Sequence, residues 1–333
     1  MFIVQSYPLA VFFCFITMLC WGSWANTQKL ASKSWPSQLY YWDYTLGLVI
    51  LALVFGLTLG SNGEQGRGFI ADLQQANGSA LGSALLGGII FNLSNLLIVA
   101  AIDIAGMAVA FPIAVGIALV LGVVVNYLAD SSGNPVLLFG GIAMVTIAII
   151  LSAIAYRKLP NNTSKASTLG IVVSVLSGII MGFFYRFVAD AISTDFYNPE
   201  AGKMTTYSAV FIFSIGIFLS NFIWNTYFMY KPLKGEPTSY KDYFTKGNLW
   251  LHIIGILGGI IWNIGMSFSL IASSQAGPTI SYGLGQGATM VGVGWGVFIW
   301  KEFKTAPKGT NIILATMFAC FIIGLILVIA AKG

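Results

Sequence analysis

Apolar residues in this chain arrive in long unbroken runs, and polar residues are confined to the short breaks between them. Crossing a bilayer as an α-helix takes roughly 20 consecutive apolar residues. Ten runs meet that length, at 7–25, 40–59, 80–102, 104–128, 135–156, 169–192, 205–230, 249–272, 278–300 and 310–331. The breaks carry turn chemistry: Gly60-Ser61-Asn62-Gly63, Ser131-Ser132-Gly133-Asn134-Pro135, Pro160-Asn161-Asn162-Thr163, Asn198-Pro199 and Ala306-Pro307-Lys308. The pattern predicts an all-α membrane protein with ten transmembrane helices. The run that begins near Phe2 has no basic residues before it and reaches about the length of a full span. It therefore reads as a first span and not as a cleavable signal.

A second pattern lies over the first. Residues 87–130 recur, without a gap, as residues 258–301. Gly87/Gly258, Gly88/Gly259, Ile89/Ile260, Ile90/Ile261, Asn92/Asn263, Ala105/Ala276, Gly106/Gly277 and Gly116/Gly287 are identical pairs. Each copy is two apolar runs joined by a very short turn. The offset carries the third and fourth runs onto the eighth and ninth, so the chain divides into residues 1–160 and 161–333, five runs each. An odd number of crossings per half forces the second half to enter from the opposite side. The predicted architecture is two inverted five-helix repeats, the plan of many alternating-access carriers.

Charge sets the orientation. Lys29, Lys33, Arg157, Lys158, Lys165, Lys231, Lys234, Lys241, Lys246, Lys301, Lys304 and Lys308 fall on one side, and Arg67, Lys203 and Lys332 on the other with both termini. Basic loops stay in the cytoplasm, which predicts both termini outside. Only 8% of residues are charged, against about 25% in soluble domains, so a soluble protein is excluded. The net charge of +5 then concerns loop orientation and not nucleic acid. Cys14, Cys20 and Cys320 lie inside apolar runs and His252 is alone, so neither a disulfide framework nor a metal site is expected, and no cofactor.

Polar side chains inside the runs are the candidate chemistry, because an amide in hydrocarbon is costly without a partner. Asn92 and Asn263 sit near the middle of the third and eighth runs, with Asn95 one turn from Asn92. They are either interhelical hydrogen-bonding groups or contacts to a polar solute at the midplane. Tyr282 and Gln286, four apart, share a face of the ninth run beside Ser281, and Asn221, Trp224 and Asn225 form a stripe on the seventh. Trp21 and Trp24 near the end of the first run are an interfacial belt or an aromatic wall for a flat solute. Arg186, four residues from Asp190, is a snorkelling surface pair or a cavity cation that holds solute or couples to a proton. Asp43, among Tyr40, Tyr41, Trp42 and Tyr44, opens the second run. Asp103 in the tight turn and Glu302 after Trp300 read as structural or gating residues. No nucleophile, base and orienting group are spaced for hydrolysis, and no glycine loop precedes Lys-Ser/Thr, so the chain is not expected to be an enzyme.

Trp21-Gly22-Ser23-Trp24, Trp42-Asp43-Tyr44-Thr45-Leu46, Ser274-Gln275-Ala276-Gly277 and Trp295 through Glu302 together resemble the drug/metabolite transporter superfamily. Within it, the chain resembles the ureide permeases and the bacterial glucose/ribose and rhamnose porters. The resemblance spans nearly the whole chain. It implies uptake of a small neutral polar solute, a sugar or a ureide or nucleobase, in symport with protons, and it makes Asp43 a coupling candidate. The plant proteins carry a long central cytoplasmic loop. Here residues 157–168 are only a short linker, which points to a bacterial porter in the plasma (inner) membrane. Amides beside aromatic planes suit either solute class. A metabolite or neutral-drug exporter on the same fold is the alternative; a cationic drug would call for a midplane carboxylate, and none is present. The pattern leaves oligomeric state open.

Overall fold

The computed structural model describes residues 1–31, 35–105, 107–131, 133–159, 168–233, 235–332. Lys33, Gly106, Lys165, Lys234 and most of the 157–168 linker lie outside the described residues, as does the side chain of Asp103. The described chain is all-α, with one isolated bridge between Ile192 and Met204 and no strand. In order the helices are α1 (Tyr7–Ser23), α2 (Ala25–Ala31), α3 (Ser37–Leu57), α4 (Phe69–Gln75), α5 (Gly78–Ala105), α6 (Met107–Ala129) and α7 (Pro135–Arg157). Then come α8 (Thr168–Ala191), α9 (Thr206–Tyr230), α10 (Tyr240–Lys246), α11 (Leu249–Ala276), α12 (Pro278–Gly285), α13 (Ala288–Gly294) and α14 (Thr310–Ala330).

Among the described residues nine helical stretches are long and apolar enough to cross a membrane. They correspond to nine of the ten predicted runs, with α1 and α2 counted as one. The run at 278–300 differs. It is broken into α12, α13 and a π-helical turn, Trp295–Ile299. Gly283, Gly285, Gly287, Gly292, Gly294 and Gly296 crowd this stretch. Glycine is about 1 kcal/mol per residue poorer than alanine in a helix interior, and a string of them lets the ladder slip. At the break the bonds tighten: Gly287 N donates to Leu284 O and Thr289 N to Gln286 O. Hydropathy sees only apolar length, so this interruption does not register in it.

Helix ends follow local chemistry. The Asn134 side chain accepts from the amides of Val136 and Leu137 at the start of α7, with Pro135 in the first turn. Asn248 caps α11 through Leu251 N, and Ser239 and Asp242 form a capping box on the short α10. Gly277, at φ 78°, separates α11 from Pro278 of α12 in a backbone conformation that side-chain-bearing residues avoid.

Packing repeats along with the sequence. α5, which begins the first repeat copy, packs on α8 and α9; α11, which begins the second, packs on α1 and α3. α6 lies on α8 as α12 and α13 lie on α1, while α3 meets α9 and α7 meets α14. Two close crossings depend on glycine. A Cβ at Gly88 would collide with the Phe213 carbonyl on α9, and one at Gly259 with the Tyr44 carbonyl on α3. In lipid, where apolar burial between helices is no driving force, such backbone approach is what holds helices together. The outward faces carry exposed Phe12, Leu19, Ile50, Leu57, Ile150, Val172, Ile223, Ile312 and Ile326, a surface suited only to acyl chains.

Candidate functional site

A cavity of about 590 Å³ lies where α1, α2, α5, α6, α7, α8, α11 and the broken helix converge. That volume falls in the ordinary range for small-molecule sites. Its aromatic wall begins at Trp21. A Cβ on Gly265 would stand 2.6 Å from the Trp21 ring and one on Gly285 2.8 Å, so the indole is seated flush against α11 and α12. Its Nε1 donates to Trp262 O at 3.2 Å, which fixes the ring's orientation. Trp21 stacks on Trp262 at 5.7 Å, Trp262 meets Phe91 at 4.4 Å, and Phe91 meets Phe184 at 5.1 Å. All four rings line the cavity.

Phe91 and Trp262 occupy equivalent positions in the two repeat copies, each directly before its asparagine. The signal for them is present in the sequence, in Ile90-Phe91-Asn92 and Ile261-Trp262-Asn263, where each ring directly precedes the repeated amide. Trp24 also lines the cavity, so both tryptophans of the first run contribute to its wall.

Of the predicted polar contacts, Asn95 and Gln286 reach the cavity. Asn95 donates through Nδ2 to the Tyr41 hydroxyl at 3.0 Å. Gln286 sits at the break between α12 and α13, where the chain bends around the cavity. The other predicted residues do not line it. Asn92 donates to Ile217 O and Ser220 Oγ on α9, and Asn263 to Leu48 O on α3 and Ser214 Oγ on α9. The Oδ1 of each is buried with no hydrogen-bond partner among the described residues. Tyr282 donates to Ala118 O, and its ring fills the space left by Gly122. Asn225 donates to Gln38 O. Tyr282 and Gln286 thus share a helical face in sequence but diverge at the break.

The two coupling candidates also stand apart from the cavity. Arg186 pairs with Asp190 at 3.1 Å with both side chains substantially exposed. Asp43 is 1% exposed and anchors a cluster: Trp35 Nε1 donates to Oδ2 at 3.2 Å, while the Tyr243 hydroxyl and His252 Nδ1 bond to Oδ1 at 2.5 and 2.9 Å. Burial, and then the Asp43 bond, push the Tyr243 hydroxyl above its ordinary range, so it remains a donor. His252, alone in sequence, is brought to Asp43 by the fold.

One end of the cavity is marked by charge. Lys29 Nζ meets Glu302 Oε1 at 2.6 Å and lies 4.3 Å from the centre of the Trp300 ring. Trp300 donates to Asn26 Oδ1 at 2.6 Å and Trp295 to Ser23 Oγ at 2.8 Å. Toward the termini the helices close over a buried network of Cys14, Tyr185, Ser269 and Ser281. Beyond it Arg67 ties Asp72 to the carbonyls of Pro199, Glu200 and Lys203, and Asp72 accepts from Thr205. The cavity thus reaches the partly exposed Lys29 and Glu302 side chains, and none of the residues of these two networks lines it.

Comparison with known proteins follows the same outline. The model described as "Ureide permease" matches residues 40–167 and 156–331. "Ureide permease 1" of Arabidopsis thaliana is 25% identical over 392 residues, covering 100% of this chain and 99% of that protein. A Streptococcus pyogenes protein named "Putative sugar uptake protein" is 24% identical, covering 97% of this chain and 99% of its own. One solved structure, called "Crystal structure of protein", superposes with a TM-score of 0.59 at 15% identity and covers 97% of this chain, which speaks to fold alone.

Proposed function

The chain belongs to the ureide permease family, a multi-pass membrane transporter for small solutes and not an enzyme. From that premise we propose that it takes up a small neutral polar solute, a sugar or a ureide or nucleobase, in symport with protons. The cavity at the end of α1 is its binding site.

The observation that carries this reading is the cavity's lining. Four linked rings, Trp21, Trp262, Phe91 and Phe184, give it an aromatic, apolar wall. The hydrogen-bonding groups near that wall, Asn95 and Gln286, are uncharged, and the charged pair is confined to the mouth. An amide offers both donor and acceptor, and an aromatic face accepts either a heterocycle or the C–H face of a sugar. Trp21, Trp24, Asn95 and Gln286 are the lead contacts. Trp262 and Phe91 join them. A neutral solute also fits an exporter on the same fold, with the cavity seen here loading from the inner side.

The ten-crossing inverted repeat belongs to the same proposal, with residues 1–160 and 161–333 as its two units and the interrupted helix as the ninth crossing. The matched packing of α5 and α11 supports it, as does the placement of Phe91 against Trp262. The excess of basic residues on the loops of one side supports both termini outside, and the short central linker supports a bacterial plasma membrane.

Purified protein is to be screened by thermal shift against allantoin, uracil, glucose, ribose and rhamnose, followed by equal-pH counterflow of any stabilising solute in proteoliposomes. Binding to the folded state raises the melting temperature. The expected result is stabilisation and counterflow by one of these classes, lost on Gln286→Ala and Asn95→Ala. Stabilisation by lipophilic cations instead would overturn the neutral-solute reading.

A further inference from the structure

Glu302 is the one carboxylate, and Lys29 the one cation, lining the cavity among the described residues. The backbone leading to Glu302 departs from a regular helix. The helix widens to a π-turn at Trp295–Ile299, and Lys301 follows at φ 52°, the one described non-glycine residue with positive φ. The Glu302 amide then donates back to Gly296 O at 2.9 Å. π-turns and left-handed non-glycine residues each carry a cost and concentrate where a function holds them in place.

The side chain is set between two elements. Its Oε1 takes Lys29 of α2, and its carboxylate is hydrogen-bonded to the Tyr156 hydroxyl of α7. Both Oε2 and that hydroxyl lie within 3 Å of where a Cβ on Gly296 would stand, at 2.9 and 2.8 Å, so a larger residue there would displace them. Lys29 is held over Trp300, whose indole is in turn bonded to Asn26. An isolated pair this exposed, 45% and 30%, contributes little. Here the pair joins a residue of the first half to one of the second, at one end of the 590 Å³ cavity, with both partners held by further contacts.

We propose that Glu302 is a proton-binding site at the mouth of the solute path, and that its occupancy sets whether the mouth stays bridged in the form seen here. This rests on the transporter reading above. The ionised carboxylate pairs with the Lys29 ammonium and stabilises the accessible cavity. Uptake of one proton on the carboxylate oxygen removes the charge that the Lys29 ammonium pairs with, while the Tyr156 hydroxyl still faces the carboxyl. The bridge then weakens and the population moves away from the form accessible at the Lys29 end. The charged and titratable groups facing Glu302 are Lys29 from α2 and Tyr156 from α7, with Lys301 beside it in the chain. Asp43, fully engaged by Trp35, Tyr243 and His252, is outside this path.

The test reads cavity accessibility and needs no solute. Thr289, which lines the cavity, is replaced by cysteine in a chain whose Cys14, Cys20 and Cys320 are serine. The purified chain in nanodiscs is labelled with a methanethiosulfonate reagent from about pH 8 to about pH 4, the span over which carboxylates in folded proteins commonly take up protons. Rates are divided by those of Lys308→Cys in the same background, which removes the thiol's own pH dependence. The expected result is a several-fold fall in normalised labelling toward acid in the parent. Glu302→Gln should hold it flat at the acid level, and Asp43→Asn should leave the fall intact. If Glu302→Gln does not fold, Lys29→Met, which removes the same bridge, must flatten the profile. A parent with no acid-dependent fall, or an unchanged fall in Glu302→Gln or Lys29→Met, overturns the proposal. Equal-pH counterflow of uracil and glucose on the parent tests the transport reading separately, so the two can fail independently.

Discussion

Replacing Asn92 or Asn263 by alanine separates a packing role from a solute role. Each amide is buried against backbone: Asn92 Nδ2 donates to Ile217 O at 3.1 Å and Ser220 Oγ at 2.9 Å, and Asn263 Nδ2 to Leu48 O at 2.6 Å and Ser214 Oγ at 3.3 Å. Interhelical polar contacts in membrane proteins average about 0.6 kcal/mol, so two per residue amount to about 1 kcal/mol. The groups left behind keep partners. Ile217 O still accepts from Ser220 Oγ, and Ser214 Oγ still donates to Val210 O. Each variant also removes a buried Oδ1 that has no hydrogen-bond partner among the described residues, which offsets part of the loss. The expected cost is therefore about 1 kcal/mol for either variant, a fall of roughly 2–4 °C in melting temperature on the scale for larger domains. The double variant should lose about twice that if the two sites do not share partners. Thermal unfolding in detergent measures the first quantity, and uptake per folded molecule in proteoliposomes the second. Uptake per folded molecule should change little. An unchanged melting temperature with uptake collapsed would refute the argument and place these amides on the solute.

Two further outcomes follow from the same geometry. Asp43→Asn removes the charge that Trp35, Tyr243 and His252 converge on, where hydrogen bonds to a charged group are each worth about 1.5–3 kcal/mol. It should lower the melting temperature and speed limited proteolysis in residues 231–248, since Tyr243 anchors α10, and unchanged cleavage and melting would remove the clamp role. For topology, an impermeant thiol reagent on intact cells should label Asn62→Cys and spare Lys308→Cys in a chain without native cysteines. The reverse pattern would invert the orientation.

Much of the architecture was legible because the bilayer imposes it. Apolar length alone located the nine stretches that, among the described residues, form helices long and apolar enough to cross, since in hydrocarbon the backbone must satisfy its own hydrogen bonds. Self-similarity alone singled out α5 and α11, whose packing partners correspond, and Phe91 and Trp262 stand at equivalent places in the two copies. The tertiary structure decided what periodicity cannot encode. A polar residue within a span faces either a neighbouring helix or a cavity, and hydropathy is blind to that direction. Asn92, Asn263, Tyr282 and Asn225 turned to helix carbonyls, while Asn95, Gln286, Trp21 and Trp24 turned to open space. Contacts between distant segments were equally invisible: His252 on Asp43, Glu302 on Lys29, and Arg67 on the 199–203 loop. So was the break at Gln286, because a glycine-rich apolar run reads the same whether its helix is continuous or not. Composition and spacing fix which segments lie in the membrane, and only the packing of all of them fixes which side chains share a space.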